Sequence, residues 1–100
     1  MKWPFLFLRV FGHSMESTFK EGDLVLVNRW VYLWRKPKVG DIVVARDPIN
    51  INRLILKRIK DEQKNRYMVA GDNKGHSIPR KITKRAILGK VIGLRGKIDK

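Results

Sequence analysis

The chain has 100 residues, which is the length of one domain with a modest hydrophobic core. It contains no cysteine, and its two histidines form no HExxH motif, so disulfides, thiol nucleophiles and zinc-hydrolase chemistry are excluded and no metal or other cofactor is expected. Lys and Arg total 23 against 9 acidic residues, a net charge of +14 that favours an anionic partner such as phospholipid head groups or nucleic acid.

The first predicted element is an apolar strand at residues 1–11, which leads into the segment GHSMEST at residues 12–18. Its apolar run is interrupted by Arg9 and is far shorter than the ~20 residues that a membrane-spanning helix needs. No small-residue cleavage site of a secretory signal follows it. We therefore expect its exposed aromatic side chains to contact a membrane surface; the alternative is that Phe5, Phe7 and Val10 only fill the core.

The rest of the chain consists of short strand patterns separated by turn signals. Strands are predicted at residues 24–27, 41–45, 54–59, 67–70 and 87–94, an aromatic ribbon at 28–34, a hairpin loop at 61–66 and a long turn at 71–77. No stretch has sustained helical periodicity. The pattern predicts an all-β fold, a small partly open barrel or sandwich of short antiparallel strands, with residues 1–100 forming a single domain.

Ser14 and Lys57 are the candidate catalytic residues. A serine hydroxyl is a weak nucleophile at neutral pH and needs a neighbouring group to take its proton. Lysine can take it only when neutral, which requires burial among apolar groups to lower its pKa. On a strand Lys57 shares a face with Ile55 and Ile59, so it is the lysine best placed for desolvation. The alternative is a sheet-edge lysine that discourages aggregation.

The Gly-Asp pairs and His13 are interpreted as structural and not as catalytic. The Gly-Asp pairs at residues 22–23, 40–41 and 71–72 each open or close a predicted strand, where Gly and Asp serve turn geometry, so paired catalytic carboxylates are not inferred. His13 directly precedes Ser14, and adjacent residues on a strand point to opposite faces. We therefore do not expect His13 to activate Ser14.

Four segments, taken together, resemble the sequence boxes of signal peptidase I and its relatives. They are GHSMEST with GDLVLV at 12–18 and 22–27, KPKVGDIVV at 36–44, LKRI at 56–59, and GDN with a serine at 71–73 and 77. Each box alone is a weak signal, but all four occur in the family's order over nearly the whole chain. The compact form is similar to minimal members, including mitochondrial inner-membrane peptidases and the proteases that mature nickel superoxide dismutase.

The resemblance implies a serine-type endopeptidase that removes leader or signal peptides from precursor proteins with a Ser-Lys dyad. Ser14 matches the nucleophile, Lys57 the general base and Ser77 the serine that orients the lysine. The backbone N–H of Ser14 would hold the oxyanion. The residues that match the supporting motif are Gly12, Met15, Gly71, Asp72 and Asn73.

The same resemblance implies the partners. They are a precursor polypeptide with its leader and an anionic membrane surface, to which the protein would be attached peripherally, without a transmembrane helix. Nucleic acid is not expected.

Several positions depart from the family's pattern. Gly12 stands where many relatives carry a second, side-chain oxyanion donor, and Ser17 stands where proline is usual, which should loosen the turn. The S-x-D-S-R ending is shortened to SIPR at residues 77–80, so Arg80 lacks its usual carboxylate partner. No segment matches the membrane anchor or the inserted second domain of typical signal peptidases.

Three other functions remain open. Self-cleaving peptidases of the phage-repressor type share the Ser-Met pair and a lysine on a similar fold, but generally lack the GDN box. The altered last box also fits a non-catalytic family member. A basic all-β module could bind single-stranded nucleic acid by stacking bases on Trp30, Tyr32, Trp34 and Tyr67. That last hypothesis does not explain Ser14, Lys57 and the GDN box together.

Overall fold

The computed structural model describes residues 3–50 and 52–94. Within them, seven strands form one open sheet in the order β1-β2-β7-β3-β4-β5-β6, with every neighbouring pair antiparallel. The strands are β1 (Phe5–Arg9), β2 (Leu24–Asn28), β3 (Ile42–Arg46), β4 (Leu54–Gln63), β5 (Arg66–Ala70), β6 (Arg80–Thr83) and β7 (Ile87–Leu94). One helical turn, α1 (Val31–Trp34), and two 3-10 turns, Lys74–His76 and Lys84–Ala86, connect them. The predicted all-β class is confirmed, and the described residues include no helix long and apolar enough to cross a membrane.

Apolar side chains on the two faces of the sheet form two separate clusters, as the alternation along each strand requires. In β3, Val43 and Ala45 belong to the first cluster while Val44 belongs to the second. The first cluster joins β3, β4, β5 and β6 around the buried Tyr67. The second joins β2 and β3 to the segment after β1, and it contains Met15. The residue next to Ser14 is therefore part of the core.

β1 is an edge strand whose two faces differ. Leu6 and Leu8 pack against the second cluster, whereas Phe5 and Phe7 are 48% and 51% exposed. Val10, just after the strand, is buried. The core-filling alternative therefore holds for Val10 but not for the two phenylalanines; residues 1 and 2 lie outside the described residues.

Residues 28–34 do not form the predicted aromatic ribbon. The side chain of Asn28 accepts the N–H of Trp30 at 2.9 Å, a local bond that ends β2, and α1 follows. Tyr32 then turns into the core and its hydroxyl donates to Asp41 at 2.8 Å, while Trp34 remains 84% exposed. Tyr67 is buried as well. The hypothesis that nucleic-acid bases stack on the aromatic side chains is therefore wrong for Tyr32 and Tyr67, because both are buried.

The predicted loop at 61–66 is also wrong, because β4 continues to Gln63 and β5 begins at Arg66. Only Lys64 and Asn65 form the turn, with φ values of 45° and 68° that suit a tight two-residue hairpin. The ends of these strands are exposed, so the sequence there has no apolar alternation to reveal them. β6 was missed for the same reason, since only its Ile82 is buried.

Candidate active site

Ser14 lies in the connection between β1 and β2, which is held on both sides. The side chain of Met15 is buried, and its sulfur accepts the N–H of Asp72 at 3.3 Å. The carbonyl of Ser14 accepts the N–H of Asn73 at 2.8 Å. Ser17 has a φ of 85°, a value that proline cannot adopt. The turn is nevertheless closed, because the N–H of Phe19 donates to the carbonyl of Met15 at 2.7 Å. The backbone of Ser14 is thus fixed by the GDN segment.

Gly71 packs directly against Ser14. A Cβ atom at position 71 would lie 2.1 Å from the carbonyl oxygen of Ser14. The N–H of Gly71 donates to the hydroxyl of Ser77. The last sequence box and Ser14 therefore meet through a glycine that leaves room for no side chain.

Asp72 joins three segments, so the turn interpretation of the Gly-Asp pair at 71–72 is incomplete. Its carboxylate accepts from Nε and Nη2 of Arg58 at 2.8 and 2.9 Å and from the hydroxyl of Thr18. Lys60 Nζ lies 3.5 Å away. The hydrogen bonds from Arg58, with a smaller contribution from Thr18, lower the pKa of Asp72 to about 2. A carboxylate with such a pKa is ionised at any physiological pH.

Asp72→Asn should lower the free energy of unfolding at pH 7 by about 2 kcal/mol, because it removes the charge that Arg58 binds. The folded-state pKa lies below the usual value of 3.8, so this stabilisation is complete above pH 4 and is lost as the pH falls through about 2. Urea unfolding of both proteins at pH 7 and near pH 2 measures it. Asp61→Asn, at an exposed position of β4, is the control. An equal gap at both pH values would contradict the prediction.

Lys57 lies in the middle of β4, opposite Val43 of β3 and half-buried. Because β4 lies between β3 and β5, the edge-lysine alternative is wrong. Burial lowers the pKa of Lys57, and the positive charges of Arg80 and Arg53 lower it further, while Asp47 acts in the opposite direction. Both effects favour the neutral amine.

Ser14 and Lys57 line the same two adjoining cavities, of about 60 and 270 Å³. The smaller one continues into an apolar cavity of about 390 Å³ between the end of β1 and the start of β4. That cavity is lined mainly by apolar side chains, among them Leu8, Val10, Phe11, Val25, Leu54 and Leu56, and also by Arg9 and Arg53. We call these three cavities, which share lining residues, the groove; Ser14 and Lys57 line two of the three.

The predicted lysine-orienting contact is not among the hydrogen bonds of the described residues. The hydroxyl of Ser77 accepts from the N–H of Gly71, and the amine of Lys57 has no hydrogen-bond partner within 3–50 and 52–94. A hydroxyl that accepts one bond still has its own proton to donate. Ser77 is therefore bonded to the glycine that packs against Ser14 and can still donate its own hydroxyl proton.

The usual carboxylate partner of Arg80 is absent, as expected from the shortened last box, but a carboxylate from another segment lies near it. Its Nη1 lies 3.8 Å from Oδ1 of Asp47, whose side chain is only 6% exposed and accepts the N–H of Ile49 at 2.9 Å. Asp47 is the only acidic residue between Ile42 and Lys60, which is the signal that could have marked it. Arg53, which lines all three cavities, carries no sequence signal apart from its charge.

The predicted oxyanion position has the backbone N–H of Ser14 as a donor but no side-chain donor from Gly12. In the described part of the chain, nothing accepts a hydrogen bond from the N–H of Ser14. Gly12 contributes no side-chain donor and has a φ of 82°. The His13 ring lies 2.7 Å from Glu16 and 3.7 Å from Glu21, and the hydrogen bond to Glu16 raises the pKa of His13.

The chain matches known proteins at the level of family. Residues 4–92 match the Peptidase S24-like family. Signal peptidase I of Aquifex aeolicus (strain VF5) is 44% identical over 46 residues, which make up 46% of this chain but only 18% of that protein. No solved structure matches significantly. Because the family match extends over nearly all of the chain, and the predicted relationship to signal peptidase I is confirmed, this protein belongs to the Peptidase S24-like family.

Proposed function

We propose that this protein is a serine endopeptidase that cleaves leader or signal peptides from precursor proteins with a dyad of Ser14 and Lys57. The observation that carries the proposal is that both side chains line the same two cavities, where burial and two arginines lower the pKa of the lysine. A neutral amine beside a serine is the arrangement that nucleophilic acyl transfer needs. Membership of a peptidase family supports the same chemistry.

The proposed reaction has two steps. Neutral Lys57 takes the proton of the Ser14 hydroxyl as its oxygen attacks the scissile carbonyl, and the ammonium then gives that proton to the leaving amine. Water attacks the resulting acyl-serine, with Lys57 again taking a proton and returning it to Ser14. The N–H of Ser14 stabilises the oxyanion in both steps. Ser77 is proposed to orient the amine of Lys57 through the hydroxyl proton that its bond from Gly71 leaves free, although no hydrogen bond joins the two side chains among the described residues.

The groove supports an extended peptide substrate with small side chains just before the cut. β1 is an edge strand, so a peptide can add beside the segment that leads into Ser14 and use backbone hydrogen bonds for affinity. The cavity of about 60 Å³ beside Ser14 suits an alanine-sized side chain, and the apolar cavity of about 390 Å³ accepts a larger one further from the cut.

Incubating the protein with a library of leader-like peptides, followed by mass spectrometry of the products, tests this function. Cleavage after small residues that disappears in Ser14→Ala would support it. Preference for bulky residues before the scissile bond would overturn the substrate assignment. Intact mass of the protein on its own, followed at alkaline pH, separates trans cleavage from self-cleavage of the repressor type.

Activity should rise with pH as Lys57 loses its proton. Because burial and the two arginines lower the folded-state pKa, the midpoint should lie below that of a free lysine. The measurement is kcat/KM for one peptide from pH 6 to 10.5. A rise centred near 10.4, the unperturbed lysine value, would contradict the burial of the amine.

Peripheral attachment to an anionic membrane is the proposed location. Trp3, Phe5, Phe7 and Phe11 expose between 48% and 79% of their surface along β1, and the net charge is +14. One short apolar segment with scattered positive charge gives reversible attachment, far weaker than a spanning helix. Sedimentation with anionic vesicles should therefore exceed that with neutral vesicles and fall with salt. Equal partition into both would overturn it.

A further inference from the structure

The cavity of about 270 Å³ on one side of Ser14 is unusually positive. Its lining includes Arg53, Lys57 and Arg80 together with His13, but no acidic residue. Asp47, whose Oδ1 lies 3.8 Å from Nη1 of Arg80, is almost completely buried. If Lys57 is neutral, as its role requires, two guanidinium groups still face one carboxylate.

The two arginines differ in how far they are already engaged. Arg80 is 26% exposed and lies 3.8 Å from Asp47. Arg53 is exposed. Among the described residues, its guanidinium forms no ion pair and no hydrogen bond. Glu16 and Glu21, the other nearby acidic residues, are directed to the ring of His13. The planar fork of Arg53 is therefore available to a carboxylate from outside the chain.

The position of the positive cavity in the groove predicts which part of a bound peptide meets the two arginines. The small cavity shares Ser14 and Lys57 with the positive cavity. It shares Leu54, Ile55 and Leu56 with the apolar cavity, which Ser14 and Lys57 do not line, and Arg53 lines all three. If the residues before the scissile bond occupy the apolar and small cavities, the residues after it pass the positive one. We propose that Arg53, with Arg80 beside it, selects precursor peptides that carry an acidic side chain within the first few residues after the cut. This inference rests on the proposed peptidase function.

An acidic substrate side chain should also act on the general base. Arg80 and Arg53 lower the pKa of Lys57, whereas Asp47 raises it, and His13 lies across the same cavity. A bound carboxylate offsets the two arginines and raises the pKa of Lys57 in the complex, but it has no effect on the free enzyme. The pH profile of kcat, which reports the complex, should therefore move to higher pH, while that of kcat/KM stays in place.

The test compares amidated peptides in which one residue after the cut is Asp or its neutral isostere Asn. We expect the Asp peptide to have a kcat/KM about five- to tenfold higher at one of the first three positions, mainly through KM. Arg53→Gln should bring the ratio close to one. Arg66→Gln is the matched control, because that exposed arginine pairs with Gln63 beside the hairpin turn, about 20 Å along β4 from Lys57. It should leave the ratio unchanged.

Measurements of peptide binding distinguish a failure of this inference from a failure of the proposed peptidase function. Fluorescence anisotropy of labelled peptides with Ser14→Ala measures the Asp preference without cleavage. Cleavage of the neutral peptide with a ratio near one at every position would overturn the inference and leave the peptidase function standing. Absence of cleavage, with Asp peptides still bound more tightly through Arg53, would support the inference while the dyad fails. A preference that survives both Arg53→Gln and Arg80→Gln would overturn it. If Arg53→Gln does not fold, Arg53→Lys keeps the charge without the fork and should retain a reduced preference.

Discussion

Ser14→Ala and Lys57→Met should each reduce peptide cleavage by at least about 10⁴-fold, with little change in folding. In the proposed dyad one residue supplies the nucleophile and the other its base, so losing either should cost nearly as much as losing both. Methionine keeps the length and apolar stem of Lys57 in its half-buried place while removing the amine. kcat/KM for a leader-like peptide, with circular dichroism and urea unfolding for the fold, measures the effect.

Two further variants, at Lys81 and Ser77, test whether the loss of activity is specific to the dyad. Lys81→Met makes the same substitution at an exposed position of β6 and should keep full activity. Ser77→Ala should be milder than the dyad variants, because Ser77 positions the lysine and exchanges no proton itself. It also leaves the N–H of Gly71 without its acceptor, at a cost of about 1–3 kcal/mol. A Lys57→Met protein that cleaves at a rate near wild type would remove the dyad from consideration.

Gly71→Ala should destabilise the protein by about 3 kcal/mol or more and abolish cleavage. The added methyl group would lie 2.1 Å from the carbonyl oxygen of Ser14 and 2.8 Å from its Cβ, and Ser14 is the proposed nucleophile. Relief requires the loop after β5 to move away from Ser14, which breaks the bond from Asn73 to the Ser14 carbonyl. Thermal unfolding and kcat/KM measure the two losses.

Gly75→Ala is the matched control for this substitution. It lies in the same loop, but a Cβ there would have its nearest neighbour, Oδ1 of Asn73, at 3.7 Å, an ordinary contact distance. We therefore expect a change below about 1 kcal/mol in stability and activity within a few-fold of wild type. Equal effects of the two substitutions would show that loop flexibility, and not the contact with Ser14, explains the requirement for glycine at position 71.

The sequence by itself determined the fold class and the family. Short β-branched runs between Gly and Asp turns predict strands where at least one face packs against an apolar cluster, and in β3 both faces do. Local patterns fail where neither face is buried, and so the exposed ends of β4 and β5 and nearly all of β6 were missed. Ser14, Lys57 and the GDN box were recognisable because their order along the chain matches a family, and their roles remain proposals.

Only the tertiary structure decided which side chains meet. Hydrogen bonds and ion pairs between distant segments depend on strand order, which alternation along one strand does not encode. The pairing of Asp72 with Arg58 and Thr18, and of Asp47 with Arg80, is of this kind. The same holds for the groove with its apolar and positive cavities, because it forms only when the end of β1, the start of β4 and the segment before β6 come together around Ser14.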